Sequence, residues 1–326
     1  MFFQDLIGQI ISPPILFFVI GVLAALLRSD LKIPEAAGII MSIFILASIG
    51  LRAGVAVNKA GISDVVLPML LAVFKGILIA VIVYSILKWI TRIDTANAAS
   101  IAGHYGAVSS ATLAVSVVYL DSIGVYYESF VPALYPFMDT AALITAVIVS
   151  RIGTAANKTE MIPVAGLVRE TIVSKAPLLL LGCFIIGFVN GEAGTKAIMP
   201  AFDLMFPGVL TIFMLDVGLI AGSRLSDLRK VDKRVFVVGL MLPPIQGLTA
   251  IILAKAIGLS PGGATVFAAL AAGASYISAP AVMRTAVPTA NPALSLALAL
   301  GLVFPFNVTI GIPLYYQIAQ MINVLF

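Results

Sequence analysis

Gly50-Leu51-Arg52-Ala53-Gly54 recurs as Gly218-Leu219-Ile220-Ala221-Gly222, 168 residues further on. A second match follows in the same order. Pro136-Phe137 and Thr140 recur as Pro305-Phe306 and Thr309 at an offset of 169, which also places Ser109 on Ser278. One such match carries little, because Gly, Ala and Leu are common here. Three in order at nearly one offset mark an internal repeat, and its meaning depends on the segments around it.

Those segments are apolar. Of 326 residues, 61% are hydrophobic and 10% charged, and the mean hydropathy is +1.14. A soluble domain carries about 25% charged residues, so this chain cannot cover a water-facing surface. Ten apolar blocks approach the ~20 residues that cross a bilayer. They are Ile10–Leu27, Ile33–Leu51, Val65–Leu87, Ala96–Leu120, Phe130–Val149, Ala176–Val189, Ala197–Ala221, Val235–Ile257, Gly262–Met283 and Ala293–Phe326. In hydrocarbon the backbone must satisfy its own hydrogen bonds, so these blocks predict helices. The fold class is all-α integral membrane. The first block lacks a basic leader and a small-residue cleavage site, and reads as a retained helix.

The polar segment 151–175 divides the blocks into two sets of five, 1–150 and 176–326. An odd number of spans per copy forces tandem copies into opposite orientations, which gives a five-plus-five inverted repeat as in many secondary transporters. With the N-terminus outside, loops facing in carry fourteen Lys and Arg, against Arg52, Lys59, Lys196 and Lys255 facing out. This bias predicts both termini outside and 151–175 as a cytoplasmic linker. The net charge of +4 therefore reflects topology signals in short loops and not a nucleic-acid surface. The lone Cys183 excludes an intrachain disulfide.

In inverted-repeat transporters the site lies near the midplane, where paired helices break. Two segments at matching positions combine Gly or Pro with hydroxyls inside an apolar block. They are Gly103-His104-Tyr105-Gly106-Ala107-Val108-Ser109-Ser110-Ala111-Thr112 and Gly273-Ala274-Ser275-Tyr276-Ile277-Ser278-Ala279-Pro280. Gly and Pro weaken helical hydrogen bonding. A broken helix offers free N–H groups, which suit an anion, at one end, and free carbonyls, which suit a cation, at the other. Taken singly, either cluster reads as tight helix packing. Taken as a pair, they read as a site, with Ser109, Ser110, Thr112, Ser275 and Ser278 supplying hydroxyls. Asp139 lies inside the fifth block, where a charge costs at least ~2.5–3.5 kcal/mol. It reads as a cation ligand beside Ser109 and Ser275, or else as a helix cap or a partner of Lys75. Asp216 reads as a site or interfacial carboxylate. His104 reads as a packing histidine or a proton relay. HExxH, CxxC, GxSxG and the phosphate-binding GxxxxGK[ST] are all missing, which argues against an enzyme or an ATP-driven pump.

Tyr105-Gly106-Ala107-Val108-Ser109, Leu134-Tyr135-Pro136-Phe137-Met138-Asp139, and the stretch from Ile277-Ser278-Ala279-Pro280 through Arg284 to Pro288-Thr289-Ala290-Asn291-Pro292 resemble the sodium-dependent bicarbonate transporter family known from cyanobacteria. The likeness extends from Pro34-Glu35-Ala36 to Gly311-Ile312-Pro313-Leu314. It implies uptake of bicarbonate with sodium as coupling ion and no other cofactor, across a bacterial inner membrane. It also implies a homotrimer and an elevator motion. Spans one, two, six and seven would form a scaffold, and spans three to five and eight to ten a core. Bicarbonate would lie between the broken helices, at Gly106, Ala107, Val108, Ser109, Ser110, Ala111 and Thr112 and at Ser275, Tyr276, Ile277, Ser278 and Ala279. The family pattern has aspartate where Tyr276 stands and glycine where Ala279 stands. The cyanobacterial proteins have a long central cytoplasmic loop and are inhibited by a PII-like regulator, and that loop is short here. Two alternatives stand beside sodium–bicarbonate symport: symport of another small organic anion, and a membrane sensor that binds the anion without moving it.

Overall fold

The computed structural model describes residues 2–153 and 175–325, with Gly166, Arg169 and Val173 between them. Most of the expected linker 151–175 lies outside the described residues, as does Phe326. All regular structure among the described residues is helical. The first half holds α1 (Phe2–Ile10), α2 (Pro13–Leu26), α3 (Glu35–Ala60), α4 (Ser63–Ile86), α5 (Thr95–Gly106), α6 (Ser110–Ser122) and α7 (Tyr135–Gly153). The second holds α8 (Lys175–Thr195), α9 (Met199–Leu228), α10 (Lys233–Ala256), α11 (Pro261–Ala272), α12 (Ser278–Ala286), α13 (Pro292–Leu298) and α14 (Ile312–Leu325). Two π turns, Ala299–Val303 and Asn307–Gly311, join α13 to α14 around Phe304–Phe306.

Eight helical segments among the described residues are long and apolar enough to cross a membrane. They correspond to eight of the ten expected spans. The first expected span is α2, with 14 residues. At 1.5 Å per residue it is about 21 Å long, short of a ~30 Å hydrocarbon core. The ninth is divided between α11 and α12.

One helix end differs from the sequence pattern. The apolar block ends at Leu51, but α3 continues to Ala60, so Arg52 and Lys59 are helical and not in a loop. The reason is tertiary. Arg52 Nε donates to Asp203 Oδ1 on α9 at 2.8 Å, and its guanidinium lies 5.0 Å over the Phe206 ring. A paired and ring-stacked charge gives the helix no cause to stop.

The repeated glycine motif has a packing role. In α3, a Cβ at Gly50 would meet the Leu180 carbonyl and one at Gly54 the Phe184 carbonyl, both on α8. In α9, a Cβ at Gly218 would meet the Phe18 carbonyl and one at Gly222 the Val22 carbonyl, both on α2. The two copies thus make equivalent contacts, second span on sixth and seventh on first. With no hydrophobic drive between helices in lipid, backbone approach through small residues holds such pairs together.

The remaining helices pack in a second set of contacts, with α4 against α5 and α7, and α10 and α14 against α11. Proline shapes one of these elements. Pro243 inside α10 has no N–H to offer the Gly239 carbonyl. The Tyr105 hydroxyl, on α5, donates to that carbonyl at 3.1 Å.

The glycine contacts predict a graded result. Gly54→Val and Gly218→Val each force two backbones apart and lower stability by about 1–3 kcal/mol. Gly182→Val and Gly208→Val, where an added Cβ meets nothing within 4 Å, leave it unchanged. Thermal unfolding in detergent separates the two pairs, and equal effects at all four positions contradict the packing assignment.

Candidate functional site

Both expected breaks are present. Asp94 opens α5 by accepting from the Asn97 N–H at 2.9 Å. The helix ends at Gly106, and Ala107 and Ser109 are extended before α6 begins at Ser110. Across the fold, α11 ends at Ala272, Gly273 is extended, and α12 begins at Ser278. Glycine, proline and hydroxyl-bearing residues favour such a stop.

The breaks touch each other. The Ser275 N–H donates to the carbonyls of His104 at 2.8 Å and Ala107 at 3.1 Å. This supplies a donor to the carbonyl end of α5. Ser109 caps α6 by accepting from the Thr112 N–H at 3.2 Å. Ser275 does the same for α12, its Oγ accepting from the N–H of Ser278 at 3.1 Å and of Ala279 at 3.3 Å.

Asp139, on α7 and fully buried, joins the two breaks. One oxygen, Oδ1, accepts from the Val108 N–H at 2.8 Å and from the Ser278 hydroxyl at 3.0 Å. Since Ser278 spends its proton there, the 2.7 Å contact between the two serines is a donation from Ser275 to Ser278. Val108 precedes α6 and Ser278 opens α12, so the positive ends of both half-helices face this carboxylate. Its second oxygen, Oδ2, is buried with no hydrogen-bond partner.

Lys75 does not pair with Asp139. Its Nζ donates to Thr249 Oγ1 on α10 at 2.5 Å. The Nδ1 of His104 donates to the Ser100 carbonyl at 2.8 Å; a carbonyl only accepts, so Nδ1 carries the proton. His104 Nε2, Thr112 Oγ1 and the Tyr276 hydroxyl are buried without partners. Ser109, Ser110, Ser275 and Ser278 are all buried. Of the expected site residues, Tyr276 and Ile277 line a cavity.

Sequence reasoning missed Asn307. Its Nδ2 donates to the Ala272 carbonyl at 2.7 Å and its Oδ1 accepts from the Tyr315 hydroxyl at 2.8 Å. It ties down the end of α11 as Asp139 ties down the start of α6. The signal was available, because Asn307 is a polar residue in the middle of the last apolar block, as Asp139 is in the fifth.

Two cavities open at opposite ends of α3, the first of them lined in part by the second break. One, of about 490 Å³, is lined by Glu35, Gly38 and Ser42 of α3, by Asp216 and Arg224 of α9, and by Lys175, Tyr276 and Ile277. The other, of about 530 Å³, is lined by Arg52 and Lys59 of α3, Met199 and Asp203 of α9, and Asp121 and Tyr127. The first takes the start of α3 with the later part of α9, and the second takes the reverse. The two helices that carry the glycine motif, α3 and α9, therefore run in opposite directions. No cluster of three or more His, Cys, Asp or Glu able to hold a metal occurs among the described residues.

The sequence profile of the Na+-dependent bicarbonate transporter superfamily matches residues 13–320. The chain belongs to that superfamily. A search of curated proteins gives no match. Membership makes this a multi-pass membrane transporter, and the superfamily's name implies sodium as the coupling ion. The resemblance read from the sequence therefore holds over nearly the whole chain, both breaks included.

Groups spent on structure and groups left open behave differently. Ser275→Ala removes the acceptor for two N–H groups and lowers stability by about 1–2 kcal/mol. Thr112→Val removes a hydroxyl that makes no bond and is neutral or slightly stabilising. Unfolding temperatures of the purified variants test this, and equal losses in both contradict the division.

Proposed function

We propose that the chain takes up bicarbonate with sodium, by symport, through an elevator motion. The observation that carries this reading is Asp139, with one oxygen shared between the breaks and the other buried and unpartnered. Sodium as cargo sits on Asp139 Oδ2, with the Ser109 and Ser275 region and the carbonyls of His104 and Ala107 beside it. Bicarbonate lies at the N-termini of α6 and α12, at Gly106–Thr112 and Ser275–Ala279. There the half-helix dipoles and the free hydroxyl of Thr112 face it.

The coupling follows from charge. Two positive helix ends attract an anion, but the fixed carboxylate of Asp139 already occupies their field. An incoming bicarbonate is repelled until a cation neutralises Asp139. At effective interior dielectrics of about 20, unit charges 4 Å apart interact by roughly 4 kcal/mol. That is enough to make anion binding depend on sodium.

The moving part is the core, formed by α4–α7 and α10–α14. The scaffold is formed by α2, α3, α8 and α9, and the glycine contacts between α2 and α9 and between α3 and α8 support this division. The cavities of about 490 and 530 Å³ lie between scaffold and core helices, at opposite ends of α3. They suit a site that is presented to each side in turn. Both termini face outside the bacterial inner membrane, and the chain assembles as a homotrimer. The apolar part of the first cavity's lining, Phe213, Val217, Ile220, Leu296 and Leu300, also supports a second reading, in which a small organic anion is carried by the same mechanism.

Labelled bicarbonate uptake into proteoliposomes tests the proposal. Uptake accumulates with an inward sodium gradient and falls to background without sodium. Thr112→Val, which removes a hydroxyl with no partner in the fold, lowers it by about tenfold or more in protein of wild-type stability. Sodium-independent uptake, or unchanged uptake in that folded variant, contradicts the mechanism.

A further inference from the structure

Among the described residues, the acidic or basic side chains buried in the fold are Lys75, His104 and Asp139. They lie on α4, α5 and α7, all core helices, and the scaffold helices bury none. His104 gives its Nδ1 proton to the Ser100 carbonyl and leaves Nε2 unpartnered, as a neutral imidazole does. Two buried charges remain, one of each sign.

Their depths match. A Cβ at Gly76 would meet the Met138 carbonyl, so α4 and α7 touch at the residues next to Lys75 and Asp139. The side chains nonetheless go to different neighbours. Lys75 Nζ donates to Thr249 Oγ1 on α10. That hydroxyl spends its own proton on the carbonyls of Ile245 and Gln246, at 2.9 and 3.0 Å. Gln246 stands one turn from Thr249 on the same side of α10, and both polar atoms of its amide are buried without partners. No ion pair of Lys75 with a carboxylate occurs among the described residues. The ammonium is thus fastened by neutral groups, and its charge is not cancelled where it sits. A charge at membrane depth is a costly way to join two helices that an apolar residue could join as well.

The charge count over a transport cycle gives it a purpose. With Asp139 negative and Lys75 positive, the empty core is neutral. Loaded with sodium and bicarbonate, it is neutral again. With either ion alone it carries a full charge. We propose that Lys75 is the resident countercharge of the moving core. It makes the loaded and the empty strokes insensitive to membrane potential, and it sets the half-loaded strokes at a disadvantage. This rests on the sodium–bicarbonate elevator reading and assigns a role to a residue outside both ion sites. Without Lys75 the core is negative in both strokes. One charge crossing the whole field shifts the equilibrium between its two positions by about fiftyfold per 100 mV.

The test is labelled bicarbonate uptake into proteoliposomes of the full chain, driven by sodium, with potassium gradients and valinomycin holding the interior negative, at zero or positive. Wild-type uptake is the same at all three potentials, within about twofold. Lys75→Met keeps sodium-driven uptake at zero potential, and an interior-negative potential slows it several-fold, because the negative core is held toward the outside. Thr249→Val removes the hydrogen bond and keeps the charge, so its uptake stays independent of potential. That variant separates a charge role from a fastening role. Potential-dependent uptake in the wild type, potential-independent uptake in Lys75→Met, or equal sensitivity in Lys75→Met and Thr249→Val overturns the inference and leaves sodium symport intact. Where Lys75→Met does not fold, the wild-type and Thr249→Val measurements decide. Absence of sodium-driven uptake in the wild type overturns the symport reading and this inference with it.

Discussion

A single carboxylate oxygen, Asp139 Oδ1, accepts from the backbone of one broken helix and from the side chain of the other. Around it, the Ser275 N–H reaches the carbonyl end of α5, and the Ser275 and Ser278 hydroxyls form a chain that ends on Asp139. Irregular backbone at membrane depth survives only where its polar groups are satisfied. Here the two breaks largely satisfy each other, and Asp139 and Asn307 complete the set. Losing this crossing would leave several N–H and carbonyl groups unpaired in an apolar interior.

The same constraint shapes function. Groups used to hold the crossing cannot also bind cargo without being exchanged. Those left unpaired are few: Asp139 Oδ2, Thr112 Oγ1, His104 Nε2 and the Tyr276 hydroxyl around the breaks. They divide by chemistry. A carboxylate oxygen and an imidazole nitrogen offer lone pairs, which suit a cation. Two hydroxyls offer donors, which suit an oxyanion. The rest of the molecule positions these four groups, by glycine contacts between α2 and α9 and between α3 and α8 and by the tie from Tyr105 to the proline-freed carbonyl in α10.

Much of this could be read from the residues. The Gly50–Gly54 and Gly218–Gly222 copies marked the repeat, and the structure supplies their reason in matched backbone contacts. Glycines and serines inside apolar blocks located both breaks, because no other sequence signal interrupts a membrane helix so economically. The end of α3 was missed, because Arg52 looks like a loop residue until its partners Asp203 and Phe206 are seen from another helix. The partner of Lys75 was also out of reach, since Thr249 lies 174 residues away and helix rotation decides which neighbour a side chain meets. Asn307 was readable in principle, but the π turns on either side of Phe304–Phe306 shift the local register. It stands one residue out of step with the offset that relates Pro136 to Pro305.

Asp139 is the joint between the broken helices and the proposed seat of the cation. Direct binding of radiolabelled sodium to purified wild-type protein and to Asp139→Asn tests this most directly. Asparagine keeps an oxygen able to accept from Val108 and Ser278 but removes the charge. The expected result is a folded variant, with near wild-type unfolding temperature, that no longer binds sodium. Sodium binding of wild-type strength in that folded variant would contradict it and place the cation elsewhere.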